Sequence, residues 1–256
     1  MNKASARTVD ILEYLSKLSD YGAGISEISR ELNIPKSSVS DIIYTLLNKN
    51  FVQYDNEKLK TFKIGLKIIQ IGFSSIQQID VLQIARPYIE QLNKLINLSV
   101  FLAVENNNQV VYVDKIENDT PIHFSIKTGS AFPMHLTGVG KAILAAHTDE
   151  EVLSIMGDGC YPVRTENSIS THYGLMREII KIRNQGYAVE NFEENDYIYS
   201  IAAPIYDNIN RVCAAISVFV LGADLGSVNI ENIIDNVKQT AIKISSIMGY
   251  SKKTTY

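Results

Sequence analysis

Between Ser5 and Leu18 the apolar residues Val9, Leu12 and Leu15 recur at intervals of three, which predicts an amphipathic helix with one buried face. Asp20-Tyr21-Gly22-Ala23-Gly24 breaks that pattern. A second, short helix is expected to start at Ser26, a good N-cap residue, to present Ile28 and Leu32 four apart, and to end at Asn33-Ile34. Pro35 suits the first position of a third helix, in which Val39, Ile42, Ile43, Leu46 and Leu47 form a one-sided stripe. Two strand-like runs follow, Phe51 to Tyr54 and Thr61 to Ile64, around the turn-prone Asp55-Asn56-Glu57-Lys58. Three helices running directly into a β-hairpin predict a winged helix-turn-helix over residues 1–65.

From Leu66 to Gln78 the pattern changes. Ile68, Ile69, Ile71, Phe73 and Ile76 are too many for one narrow stripe, so residues 66–79 are expected to form a linker helix covered by a partner. Residues 80–256 alternate between the two periods. A helix from Asp80 to Leu95, interrupted near Arg86-Pro87, precedes strands at Ser99 to Val104 and Val110 to Lys115, joined around Asn106-Asn107-Asn108. Further strands are expected at Ile122 to Ile126, Tyr187 to Val189, Ile198 to Tyr206 and Val212 to Val220. Helices are expected near Gly140 to His147, Glu150 to Met156, Leu175 to Gln185 and Ile230 to Met248. That order predicts an α/β domain around a mostly antiparallel sheet.

The polar face of the third helix carries Lys36, Ser37, Ser38, Ser40, Asp41 and Tyr44. Any amphipathic helix has such a solvated face, so alone it decides little. Next to a hairpin bearing Lys58, Lys60 and Lys63 it fits a recognition helix in a major groove, with its N-terminal amides and hydroxyls on phosphates and its short side chains close to base edges. The stretches SARTVDILEYL, ISEISRELNIPKSSVSDIIYTLLNKNFV and TFKIG resemble the IclR family of transcription regulators. In that family an arginine usually stands where this chain has Asp41. An acid there repels phosphate; it either accepts from a cytosine amino group or caps or pairs locally, for example with Lys36 or Lys49.

Thr137-Gly138-Val139-Gly140-Lys141-Ala142 is a glycine-rich turn entering a helix, where unpaired amides and the helix dipole favour an anion. It is not a nucleotide-binding Walker loop, because His135 stands five before Gly140 and Ala142 follows Lys141. Glycines needed for tight packing would give the same string. The resemblance to the IclR family continues in PMHLTGVGKAILAA, IRNQGYAVE and IAAPIYDNINRVCAAISV, nearly to the end of the chain. It implies a GAF-like or profilin-like second domain that binds a small organic acid, whose carboxylate meets Gly138-Val139. Further pocket positions implied by it are Phe124, Glu190, Ile198, Ser200, Ser217 and Phe219. The glyoxylate- and pyruvate-responsive pattern of the family has aspartate, cysteine and serine in place of Glu190, Ser200 and Phe219, so volume and polarity both differ here. It also implies a homodimer or homotetramer.

Composition narrows these readings. Length (256 residues) exceeds the usual single domain, and the formal charge of −4 argues weakly against nucleic acid. The split matters more: residues 1–79 hold ten Lys or Arg against eight Asp or Glu, and the excess of acids lies in the rest. No apolar run approaches a membrane span, and the N-terminus lacks a signal-peptide core, so a cytoplasmic protein is expected. Two cysteines, Cys160 and Cys213, are too few for a disulfide framework or a structural zinc site. An enzyme would have to use His123, His135, His147, His172 or Cys160, but none stands in a metal-ligand spacing or a nucleophile elbow. No cofactor or metal is expected. A sensor that has lost DNA binding is the third reading, and Asp41 is its only support.

Overall fold

The computed structural model describes residues 3–18, 21–76, 80–118 and 126–251, with side chains of 72–80 left aside. The chain splits into two compact units, Met1–Gln78 and Ile79–Tyr256. In the first, α1 (Lys3–Lys17), α2 (Ile25–Glu31) and α3 (Lys36–Asn48) precede the hairpin β2 (Val52–Asn56) and β3 (Thr61–Ile64). A two-residue strand, β1 (Ala23–Gly24), pairs with β3 and makes the sheet three-stranded, in the order β1-β3-β2. Ile11, Leu15, Ile28, Val39, Ile43, Leu46, Val52 and Phe62 form one core.

Two helix boundaries differ from expectation. Helix α2 begins one residue before Ser26, with Gly24 at its N-cap and no side-chain cap bond, because pairing of β1 with β3 fixes the chain's direction just upstream. Pro35 is the N-cap of α3 rather than its first helical residue, its ψ of 137° lying outside the helical range. Asn33 takes the left-handed conformation (φ 51°) that stops α2, as the asparagine there leads one to expect. Helix α4 (Leu66–Ile76) then occupies the linker.

The second unit opens with α5 (Asp80–Ile96), which is continuous through Pro87 instead of interrupted at Arg86-Pro87. Proline removes one amide donor, and the apolar stripe Val81, Ala85, Ile89 and Leu92 packed on the sheet holds the helix together across it. Strands β4 (Val100–Asn106), β5 (Gln109–Ile116), β6 (Ala131–Pro133), β7 (Ala188–Asn191), β8 (Ile198–Tyr206) and β9 (Val212–Leu221) form an antiparallel sheet ordered β6-β5-β4-β9-β8-β7. The β4–β5 turn is Asn107-Asn108 with both φ values positive, the mirror-image turn that matches strand twist. Of the strand expected at Ile122 to Ile126, all but Ile126 lies outside the described residues.

Side-chain alternation sorts the sheet into two faces. Val100, Leu102, Ile201, Ala203, Ile216, Val218 and Val220 face α5 and α9 (Ile230–Ile247). Phe101, Ala103, Tyr112, Ile198, Ala202, Ala215 and Phe219 face α6 (Gly138–Ala145), α7 (Asp149–Met156) and α8 (His172–Gln185). Each of these helices starts earlier than its apolar period suggested, since Thr137, Thr148 and Thr171 cap them and the first turns are polar or glycine-containing. No helix among the described residues is long and apolar enough to cross a membrane.

Candidate functional site

In the first unit, Lys36, Ser37, Asp41 and Tyr44 of α3 are exposed and Ser38 and Ser40 half-buried, so the stripe and its opposite face fall where the period puts them. Pro35 has no side chain with which to cap α3, and no acid lies in its first turn, which leaves the leading amides and the positive dipole end open. Arg7 of α1 places Nη1 3.4 Å from Ser38 Oγ, adding a second cation beside Lys36 that sequence reasoning did not single out. Asp41 makes no ion pair with Lys36 or Lys49 among the described residues; its carbonyl accepts from Thr45 Oγ1 at 2.7 Å. Tyr44 sets its ring edge against Phe62, 6.1 Å between centroids, and is part of the packing as well as of the surface.

The hairpin separates its three lysines. A bulge puts Asp55 out of register, and its carboxylate accepts from Gly22 N at 3.1 Å and from Lys63 Nζ at 2.9 Å. Both bonds hold the Asp55 carboxyl below its usual range, the Lys63 bond most. Lys63 is therefore committed to the hairpin's own base. At the tip, Asn56 Oδ1 accepts from the amides of Lys58 and Leu59, and Lys60 adopts a left-handed φ of 51°. Lys58 and Lys60 project from this tied turn, exposed and without an ion pair among the described residues.

In the second unit, α6 begins at Gly138, capped by Thr137, whose Oγ1 accepts from Gly140 N at 3.1 Å. That bond removes the Gly140 amide from any anion site and leaves those of Gly138 and Val139, which have no partner within the helix. Both glycines also answer to packing. A Cβ on Gly140 would lie 2.2 Å from Met134 O, and one on Gly138 would lie 2.6 Å from Ser200 Oγ. The start of α6 thus presses onto β8 beside Ser200, whose hydroxyl donates to Glu190 Oε2 on β7 at 3.0 Å. Glu190 is 2% exposed, and burial pushes its carboxyl up to about 7. Next to Ser200 in register stands Phe219, its ring centroid 4.2 Å from that of Phe101 with the planes tilted by 32°, and edge-on to Tyr112. Ile198 and Val139 are buried in the same cluster. Ser217 lies between, fully buried, its Oγ without a hydrogen-bond partner among the described residues. Phe124 is outside the described residues.

The sequence-expected residues Gly138, Val139, Glu190, Ile198, Ser200, Ser217 and Phe219 therefore lie on one face of one sheet. Missed by sequence reasoning was the charge that accompanies them. Lys141 is wholly buried on α6 and pairs with Glu193, with Glu178 Oε1 at 4.0 Å. A lysine inside the otherwise apolar GVGKAILA was its signal. His135 Nε2 lies 2.9 Å from Pro162 O, so that nitrogen carries the proton; Nδ1 is buried and unpartnered among the described residues. Burial holds the ring below its ordinary pKa. The described residues contain no group of three or more His, Cys, Asp or Glu side chains placed to hold a metal.

Comparison with known proteins covers nearly all of the chain. Residues 4–56 match the IclR helix-turn-helix domain, and residues 73–246 match the family described as bacterial transcriptional regulator IclR C-terminal. The chain is 30% identical over 247 residues to the HTH-type transcriptional repressor AllR of Escherichia coli K12, spanning 96% of this chain and 90% of that protein. The IclR of Thermotoga maritima superposes with a TM-score of 0.79 at 27% identity, covering 96% of this chain and 98% of that one. An IclR homolog from Microbacterium hydrocarbonoxydans, solved in complex with 4-hydroxybenzoate, has the same fold, with a TM-score of 0.80 at 19% identity over 97% of this chain and the whole of the other.

Proposed function

This chain belongs to the IclR family of DNA-binding transcription regulators, and on that premise we propose that it is a cytoplasmic regulator whose grip on its operator is set by a small organic acid bound in the second unit. The family and the relatives above are regulators of transcription and not enzymes. The observation that carries the effector reading is the buried Ser217 hydroxyl, which has no hydrogen-bond partner among the described residues and stands in register between Phe101 and Ala202. A buried hydroxyl without a partner costs about 1–3 kcal/mol. A ligand that supplies the missing hydrogen bond recovers it. The acid group takes the Gly138 and Val139 amides, the aromatic wall takes the ligand's apolar part, and Glu190 asks for a donor. The relative bound to 4-hydroxybenzoate supports an acid that combines these parts.

DNA contacts are assigned to Lys36, Ser37, Ser38, Ser40, Asp41 and Tyr44 of α3 and to Lys58 and Lys60 of the wing, with double-stranded DNA as partner. The assembly is a homodimer or a homotetramer. Leu66, Ile69 and Ile71 support it: they are 66%, 50% and 44% exposed on α4, and a second copy would cover them. Selection of operator sequences from random oligonucleotides, followed by a thermal-shift screen of organic acids and retitration of the operator with each hit, tests the whole reading. The expected result is an acid that both raises the melting temperature and changes operator affinity. Absence of sequence-selected DNA would defeat the DNA-binding half, absence of any acid that changes operator affinity would defeat the effector half, and light scattering that shows only monomer with and without DNA would defeat the assembly.

A further inference from the structure

Among the described residues Glu190 has no cation paired directly with it. From β8 the Ser200 hydroxyl donates to it, and from the segment after β7 the Glu194 amide does. Among the described residues, the charged and titratable groups facing it are Lys141 from α6, Glu193 from that same segment, and the Tyr112 hydroxyl from β5. Lys141 is already paired with Glu193, and Glu194 Oε1 lies 3.1 Å from Arg164 Nη1. His135 stands near Lys141 as a neutral ring. Repulsion from Glu193 accordingly outweighs the attraction of Lys141 at Glu190. The pocket's wall holds one carboxylate more than its cations serve.

The start of α6 packs against the hydroxyl that serves that carboxylate. Gly138 abuts Ser200 Oγ, the same hydroxyl that donates to Glu190, and a Cβ on Gly138 would come 3.7 Å from the Glu190 amide. An effector carboxylate on the Gly138 and Val139 amides would therefore arrive as a second negative charge close to the first, beside a side chain that is itself buried. Two carboxylates so placed cannot both stay ionised; one takes a proton. We propose that a carboxylate effector enters this pocket together with one proton, held on Glu190, so that Glu190 meets the ligand as a neutral acid and effector affinity falls as pH rises. This rests on the reading of the second unit as an acid-binding pocket.

The position of Glu190's own titration makes the coupling visible at ordinary pH. With the empty pocket titrating at about 7, roughly half the sites are already protonated at neutrality. Binding raises the affinity of Glu190 for its proton further. Above that value each pH unit is expected to weaken binding about tenfold, and well below it binding is expected to be flat.

The test is calorimetry on the full chain with lactate, glycerate and 4-hydroxybenzoate as probes, in Hepes and in Tris at about pH 7.5, where linkage requires uptake of between half and one proton per site. The difference between the two buffers, whose ionisation enthalpies differ, reads the proton number directly and needs no variant. Glu190→Gln is expected to abolish both the uptake and the pH dependence. Tight binding of a probe by wild-type protein with no proton uptake and no change in affinity between about pH 6 and pH 8 overturns the proposal, since the linkage demands both. Uptake that persists in Glu190→Gln overturns it too, by assigning the proton elsewhere. If no probe binds even at the acid end, the acid-pocket reading itself fails, and the proposal falls with it.

Discussion

Gly138 at the start of α6 and Ser200 in the middle of β8 are so close that a Cβ on the glycine would lie 2.6 Å from the serine hydroxyl. Gly138→Ala must push Ser200 Oγ aside and so strains the Ser200–Glu190 hydrogen bond. The expected cost is about 1–3 kcal/mol, as for overpacking in a core. In a Ser200→Ala background the obstructing atom is absent. Urea unfolding of the two single variants and the double variant should then show strong non-additivity, the double variant being more stable than the sum of the singles predicts. Additive losses would mean that the two residues do not press on each other.

Glu190 gives the stability of the second unit an unusual slope with pH. Its carboxyl is raised from 4.5 to about 7 by burial, so the folded chain binds a proton there that the unfolded chain does not. Stability from this group is fully present below the unfolded value and is lost as pH rises through the folded one, the reverse of a salt-bridged acid. The window is from 4.5 to about 7. Glu190→Gln cannot titrate. Its stability relative to wild type should improve by a few kcal/mol between the acid and the neutral end of that window, read from urea midpoints. A constant gap across the window would contradict the burial effect.

The tied wing predicts a division among its lysines. Lys58→Ala with Lys60→Ala should weaken DNA binding about equally on all sequences and reduce the slope of log affinity against log salt by about one to two, as loss of one or two phosphate contacts requires. Lys63→Ala should act differently, because Lys63 serves Asp55. It is expected to lower the melting temperature of the first unit more than it changes the salt slope. Replacing Ser38 or Ser40 should instead alter the preference among sequences, measured by competition between selected and scrambled sites.

Phe219 is packed against Phe101, with 4.2 Å between ring centroids, and is proposed to wall the effector site. Changing Phe219 to serine removes a large buried ring and costs about 3–5 kcal/mol in stability. The same change is expected to open space at the proposed effector site. Calorimetry is expected to show a response extended toward smaller, more polar acids, with weaker binding of aromatic ones. Tight binding of glyoxylate by the unaltered protein would show that Phe219 does not select.

Much of this was legible in the sequence, and the rest was hidden for definite reasons. The stripe Val39, Ile43 and Leu46 is legible because a helix buries one face with its own period. So is the Asn107-Asn108 turn, since asparagine tolerates the positive φ that the hairpin needs. Strand β1 is not, because two residues have no period and only pairing with β3 makes them a strand. The expected break at Pro87 failed because packing on the sheet overrides a local helix breaker. In the site, the glycines and serines could be read one by one. The Lys141–Glu193 pair could not, for its partners stand on different elements far apart in the chain. Charge balance in a buried pocket is a property of the folded set.

The apolar residues left open on α4 bear on how much of this protein a cell needs. When a site has two halves and each takes one recognition helix, occupancy by scarce chains that pair through α4 grows with the square of their concentration. A modest change in synthesis then becomes a larger change in promoter traffic, before any effector arrives. Under that proposed pairing, single copies would be the ones that show Leu66, Ile69 and Ile71 to solvent. An exposed apolar patch is a liability to unwanted association. The same three side chains would then tie both operator occupancy and the fate of surplus copies to how much chain is made.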